Sequence, residues 1–255
     1  MAIESGSPHD TVLFRLKGLG VSITVQAPLF FRDLLEQTLT GWEISIFDTP
    51  NRPRIMVLFE NGRFTIKTDL AKPVPARSDL IDTLNEFFLC LAYLSVTKIK
   101  GAKLLHCAAF NEDKKNVVVF GKKNAGKSSL VLSKAQAGAT ILADDLLIWL
   151  PKSATVMCVG LPIRMRRPIV GLNKTVSDKP QFIAGKQIAY AQKDVFKIAG
   201  AGDAFTPDTI CELAEHEMTP VPFRQWPQII AKHTISDDYT RVSQAQTILN
   251  EELNQ

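Results

Sequence analysis

The chain has few of the residues that build metal clusters or disulfide frameworks. Its 255 residues include four cysteines and four histidines, and neither set is clustered. The cysteines form no C-x-x-C pair, so we expect no structural zinc site. Scattered cysteines are also typical of reduced thiols in a cytoplasmic protein. They are Cys90, Cys107, Cys158 and Cys211.

Signals for a membrane or a nucleic acid are also scarce. The N-terminal stretch "MAIESGSPHD" is polar and has no apolar core of a signal peptide. The longest apolar run, Phe87–Val96, is too short to span a bilayer and predicts a buried helix. The formal net charge is only +4, and basic residues do not alternate with aromatic ones along any stretch. We therefore expect neither a membrane nor a nucleic acid as a partner.

What the sequence does contain is a mixed α/β pattern in two parts. Residues 1–75 predict a small β-rich α+β module, with strands around a helix at Phe30–Leu39. Its clearest feature is Asn61-Gly62 between two apolar runs, which predicts a tight hairpin. A proline-bearing connector, Ala71–Ser78, leads to a helix that starts at Asp79, and residues 76–255 form the second, larger part. Near the C-terminus, helices are predicted at Thr206–Met218 and Val242–Leu253.

The second part contains the pattern G-x-x-x-x-G-K-S. A β-branched run, Val117–Phe120, precedes it, and a helical pattern follows. Glycines let a backbone turn tightly around phosphate, and the first amides of the next helix are free to donate. The alternative is a surface turn rich in glycine and lysine, but the order strand, loop, helix favours nucleotide binding. The residues expected to contact the nucleotide are Gly121, Lys122, Lys123, Asn124, Ala125, Gly126, Lys127, Ser128 and Ser129, with Lys127 on the β/γ-phosphates and Ser128 on Mg²⁺.

Two further features suggest phosphate chemistry. Asp144 and Asp145 are adjacent inside the apolar run Ala139–Leu150, and successive strand residues point to opposite faces. One acid could hold Mg²⁺ while the other accepts a hydroxyl proton, although a solvated strand end is the simpler alternative. His106 lies between "KLL" and "CAAF"; taken alone, it fits a core or strand-edge histidine better than a catalytic one.

Taken together, "LLHCAAF", "VVVFGKKNAGKSSL" and "AGATILADDLLIW" resemble the catalytic domain of bacterial HPr kinase/phosphorylase and its relatives. That group is structurally related to phosphoenolpyruvate carboxykinases, and the resemblance covers residues 103–150. It implies an HPr-kinase-like phosphate-loop fold in which Lys127 binds phosphate and Ser128 binds the metal. It also implies that Asp144 is the base, that Asp145 lies near the metal, and that His106 lies near the transferred phosphoryl group.

The chain departs from that family after the two acids. A glutamate-bearing segment is expected there, but "VGLPIRMRRPIVGLNK" contains no acid. Arg164 or Arg166 could instead contact the γ-phosphate or an anionic acceptor; the alternative is an exposed basic turn. The N-terminal part does not resemble the regulatory domain of HPr kinases, so HPr itself is a doubtful substrate.

The sequence thus predicts an ATP- and Mg²⁺-dependent kinase. Its acceptor would be a hydroxyl group on a peptide, a protein or a small metabolite. Three alternatives stay open: a nucleotide-binding regulator with little turnover, a phosphatase or phosphorolytic enzyme, and a carboxykinase-like enzyme, which the short chain disfavours. The oligomeric state is also open, and a homo-oligomer is compatible with the sequence.

Overall fold

The computed structural model describes residues 10–46, 53–70, 73–166 and 182–235 as a mixed α/β protein. Within these ranges the helices are α1 (Leu29–Thr38), α2 (Leu80–Lys98), α3 (Lys127–Gln136) and α4 (Trp226–His233). The strands are β1 (Thr11–Gly18), β2 (Val21–Pro28), β3 (Glu43–Ile46), β4 (Ile55–Glu60), β5 (Arg63–Thr68), β6 (Lys103–His106), β7 (Ala108–Glu112), β8 (Lys115–Phe120), β9 (Thr140–Ala143), β10 (Leu146–Leu150), β11 (Thr155–Cys158), β12 (Arg164–Arg166), β13 (Phe182–Ala184), β14 (Ile188–Ala191), β15 (Ala204–Phe205), β16 (Thr209–Ala214) and β17 (Glu217–Pro220).

The N-terminal strands form one five-stranded sheet in the order β3-β1-β2-β4-β5. The predicted hairpin is confirmed, because Glu60 pairs with Arg63 across a turn of Asn61 and Gly62. Both turn residues have positive φ, 52° and 73°, which is the geometry that the Asn-Gly pair favours. Helices α1 and α2 pack against this sheet, and the core they share extends to Leu146 and Ile148 of the second part.

Helix α2 begins where Asp79 caps it, since the Asp79 carboxylate accepts hydrogen bonds from the Ile81 and Asp82 amides. The helix is long and apolar enough to cross a membrane by composition. However, 67% of its most apolar window is buried inside the protein. That burial is typical of a core helix, as the sequence predicted.

The two parts of the chain are joined by close backbone contacts. Thr40 donates an amide hydrogen bond to the Gly160 carbonyl at 2.9 Å, and its own carbonyl accepts one from Ala201 at 2.9 Å. Gly41 and Gly160 have φ of 75° and 73°, and a Cβ on Gly160 would overlap the Thr40 carbonyl oxygen. This contact requires glycine, and it fixes the N-terminal sheet against the second part.

Three chain segments converge at one edge of the second five-stranded sheet, whose order is β17-β16-β8-β7-β9. Strand β7 runs antiparallel to both β8 and β9, so β8 and β9 end at the edge where β7 begins. The chain leaves β8 through the glycine loop and leaves β9 through Asp144 and Asp145. His106 and Cys107 enter β7 at the same edge. This topology explains why residues distant in sequence meet there.

The chain bends at this edge within both runs, 103–110 and 139–150. Strands β6 and β10 pair in a separate four-stranded sheet, β15-β11-β10-β6, whereas β7 and β9 pair in the five-stranded sheet. The Cys107 amide donates to the Asp145 carbonyl at 3.0 Å across the bend. Both segments of the chain therefore pass from one sheet to the other at the same place, one at His106-Cys107 and the other at Asp144-Asp145.

The helix predicted at Thr206–Met218 is wrong. Residues Thr209–Ala214 form β16, which pairs in parallel with β8 and continues into the β17 hairpin. The apolar residues Ile210, Cys211 and Leu213 are all buried, because both faces of this strand are covered. A strand buried on both faces loses its alternating pattern and resembles a short helix in sequence. The second predicted helix, Val242–Leu253, lies outside the described residues.

Candidate functional site

The glycine loop, residues 121–126, connects β8 to α3. Gly126 precedes the helix with φ of 98°, and Asn124 also has a left-handed φ of 70°. These angles turn the backbone sharply so that α3 begins with free amides facing the loop. Gly121 is buried below the loop, where a Cβ would approach the Leu213 carbonyl to 2.8 Å. Both glycines are therefore required by local geometry.

Lys127 is the first residue of α3 and is 7% exposed. Its ammonium donates hydrogen bonds to the Gly121 carbonyl at 2.8 Å and the Lys122 carbonyl at 3.2 Å. Burial lowers the pKa of this lysine, while the charges of Asp145 and Asp144 act in the opposite direction. The lysine is thus held over the loop with two carboxylates close by.

The two adjacent aspartates have different surroundings. Asp144 is 4% exposed, and its Oδ2 accepts the Arg164 amide at 2.8 Å. Burial, and then the charge of Asp145, raise the pKa of Asp144 to about 6, although a hydrogen bond with the Ser128 hydroxyl acts to lower it. Oδ1 of Asp144 is buried without a well-formed hydrogen bond among the described residues. Asp144 is therefore a buried carboxylate beside Ser128, and it is costly to ionise.

Asp145 is in contact with cationic and polar groups. Its Oδ1 lies 3.0 Å from His106 Nε2, and its Oδ2 lies 3.2 Å from an Arg164 guanidinium nitrogen. Burial alone would raise the pKa of Asp145, but the His106 hydrogen bond and the Arg164 charge outweigh it, so the pKa is lowered. Asp145 is ionised in this environment.

Arg164 connects the site to helix α2. Its other terminal nitrogen donates to Asn85 Oδ1 at 2.5 Å, and the Tyr190 hydroxyl donates to the same oxygen at 3.5 Å. Burial would lower the pKa of Arg164, yet the charges of Asp145 and other anionic groups raise it. Asn85 thus fixes the guanidinium that faces Asp145, and nothing in the sequence pattern indicated this role.

Most of these groups face a pocket of about 850 Å³. One wall is the glycine loop and the start of α3, from Lys123 to Ser129, and the other is the polar face of α2. The pocket also contacts His106, Asp145, Arg164 and Arg166. The structure therefore brings most of the predicted residues to one pocket. Gly121, Lys122 and Asp144 lie outside its lining.

One neighbour of the loop, His216, lies in a segment that the sequence pattern predicts as a helix. His216 occupies the turn between β16 and β17, where Glu215 and His216 both have positive φ, 50° and 68°. A Cβ on Gly126 would lie 3.2 Å from His216 Nδ1. Once β16 is recognised as a partner of β8, its hairpin must end near the loop.

Among the described residues, no group of three His, Cys, Asp or Glu side chains could hold a metal ion. Those side chains offer nitrogen, sulfur and carboxylate ligands, whereas a hard cation also accepts other oxygen ligands.

Comparison with protein-family models gives no match, and comparison with curated proteins gives no significant match.

Proposed function

We propose that this protein is an ATP-dependent phosphotransferase with an HPr-kinase-like phosphate loop. It would transfer the γ-phosphoryl group of Mg·ATP to a hydroxyl group of a peptide, a protein or a small molecule. The observation that supports this most is that the glycine loop with Lys127 shares one pocket with His106 and Asp145. Phosphoryl transfer needs little beyond this arrangement, because positioning and charge stabilisation supply most of the catalysis.

The residues present fit a magnesium ion at Ser128 and Asp144. Oδ1 of Asp144 is a buried carboxylate oxygen without a well-formed hydrogen bond, and the Ser128 hydroxyl lies beside that carboxylate. Such an oxygen is costly unless it gains a partner, and hard cations prefer oxygen ligands. When bound, Mg²⁺ would neutralise charge on the β/γ-phosphates.

The geometry favours a division of roles opposite to the one that the family resemblance implies. Asp144 is largely inward and adjacent to Ser128, which suits the metal, whereas Asp145 lines the pocket beside His106. By accepting the Nε2–H of His106, Asp145 leaves Nδ1 as the proton acceptor. In the proposed transfer, the acceptor oxygen forms the new P–O bond while its proton passes to His106. ADP departs as the old P–O bond breaks.

The charged side chains around the pocket would stabilise the developing charge. Lys127 and the free amides of α3 bind the β/γ-phosphates, and the Arg164 guanidinium places a further positive charge beside Asp145. Asn85 holds that guanidinium in place.

Two variants test the proposal. Lys127→Ala removes a charge-assisted contact of ~1.5–3 kcal/mol, so calorimetry should show Mg·ATP binding weakened about ten-fold to a hundred-fold. Asp145→Asn should keep ATP affinity, yet lower phosphoryl transfer by on the order of 10²–10⁴. Unchanged ATP affinity in Lys127→Ala would exclude the phosphate-loop function. Intact binding with no turnover in the wild type, with or without an acceptor, would favour a nucleotide-binding regulator.

A further inference from the structure

A second, smaller hollow of about 260 Å³ adjoins the main pocket on the side away from the glycine loop. We call it the basic hollow; it is lined by Arg63, Ala76, Arg77, Ser78, Asp82, Lys186 and Gln187. Three of these residues, Arg77, Asp82 and Gln187, also line the main pocket. The two spaces are therefore adjacent along one face of α2.

The basic hollow collects three cations from three separate segments. Arg63 begins β5, Arg77 bridges to β5 from the segment before α2, and Lys186 lies between β13 and β14. Among the described residues, neither Arg63 nor Lys186 has a carboxylate partner. Arg77 donates to Glu86 at 2.5 Å, but its Nε is buried without a hydrogen bond. The basic hollow therefore has more positive charge than the carboxylates around it neutralise, and it has N–H donors that make no hydrogen bond within the described part of the chain.

Asp82 is the one acid among the lining residues, and its carboxylate is already engaged. Its Oδ1 accepts the amides of Gln187 and Ile188, each at 3.3 Å. The net charge of the residues around the basic hollow is positive, even when the negative charge of Glu86, the ion-pair partner of Arg77, is included. Convergent guanidinium and ammonium groups with this excess suit a carboxylate or a similar oxyanion.

The position of the basic hollow suggests the size of its ligand. Asp82 lies about one helical turn, roughly 5 Å, from Asn85 along α2. The Arg164 guanidinium then bridges Asn85 to Asp145. The distance from the hollow to the reacting end is thus on the order of 10 Å, which an extended peptide covers in about three residues. A small hydroxy acid is too short to reach both ends.

We propose that the basic hollow is a subsite for a carboxylate of the phosphoryl acceptor. The acceptor is a peptide segment whose carboxylate lies about three residues from its reactive hydroxyl. Identifying the ligand as the acceptor rests on the proposed function, whereas anion binding in the hollow does not.

Anion binding is tested by titrating the protein with malonate and, separately, with inorganic phosphate, and binding is measured by NMR. The double variant Arg63→Gln/Lys186→Gln removes two exposed cations that have no carboxylate partner within the described ranges, so it should keep the melting temperature of the wild type. It should weaken malonate binding about ten-fold or more, whereas Lys100→Gln, an exposed lysine outside both pockets, should not. Three results would each overturn the carboxylate subsite. The first is that the wild type fails to bind malonate, and the second is that the double variant binds malonate as tightly as the wild type does. The third is that the wild type prefers phosphate to malonate and the double variant loses that preference.

The acceptor is tested with capped serine peptides that carry aspartate or asparagine three residues before or after the serine, and with free L-serine. One aspartate peptide should show a kcat/KM about ten-fold above its asparagine counterpart, and the double variant should abolish that preference. Efficient transfer to L-serine, or no preference for aspartate, would overturn the peptide assignment. Absence of transfer to every acceptor, with malonate binding intact, would instead refute the proposed function and leave only an anion site.

Discussion

Asp144→Asn should make the protein more stable at neutral pH, although Asp144 belongs to the candidate site. The folded protein raises the pKa of this carboxyl from 3.8 to about 6, mainly by burial and then by the charge of Asp145. Each pKa unit corresponds to 1.36 kcal/mol, so the ionised carboxylate destabilises the fold by about 3 kcal/mol. Asparagine carries no charge, and its carbonyl oxygen can still accept the Arg164 amide. Its amide nitrogen would occupy the place of an oxygen that already lacks a well-formed hydrogen bond.

The effect has a defined pH window. Above pH 6 the wild-type carboxylate is ionised in both states, so the full penalty applies. As the pH falls from about 6 towards 4, the folded carboxyl takes up its proton before the unfolded one does, and the penalty disappears. The stability difference between Asp144→Asn and wild type should thus be about 3 kcal/mol at pH 8 and near zero at pH 4.

Urea denaturation at several pH values measures this difference, and at pH 8 the melting temperature should rise by roughly 6–12 °C. The neighbouring variant Asp145→Asn is a matched control with the opposite sign, because the fold lowers the pKa of Asp145. It should destabilise the protein above the unfolded pKa of aspartate, and this effect should fade as the pH falls through the lowered folded pKa. A destabilised Asp144→Asn at pH 8, or a stability gain that does not vary with pH, would refute the reasoning.

Two further predictions concern contacts between segments that are distant in the sequence. The Gly160→Ala variant should have a free energy of unfolding lower by about 3 kcal/mol or more, since its Cβ would overlap the Thr40 carbonyl. The control Gly20→Ala has a similar φ of 70° and nothing within 4 Å of the added Cβ, so its free energy of unfolding should fall by only ~1–2 kcal/mol. Equal losses in thermal denaturation would show that the overlap is relieved. Arg164→Lys should reduce turnover about ten-fold while ATP affinity stays nearly constant, because one ammonium cannot bridge Asn85 and Asp145 in the same geometry. If steady-state assays show the same turnover as in the wild type, Arg164 has no role in phosphoryl transfer.

The sequence by itself determined the features that depend on neighbouring residues. The Asn61-Gly62 hairpin and the capped helix after Asp79 follow from local turn and capping preferences. The same holds for the order strand, loop, helix around Gly126, since a positive φ and a free helix start are encoded within a few residues.

Only the tertiary structure decided which partner each segment found. Residues 209–214 are a strand because β8 offers a parallel edge there, a long-range pairing that local periodicity cannot register. The same applies to the site: Asp144 and Asp145 are equivalent in sequence, yet one faces Ser128 in a buried position and the other faces His106 in the pocket. Their different pKa values arise from burial and neighbouring charge, and both are set by the bend between two sheets.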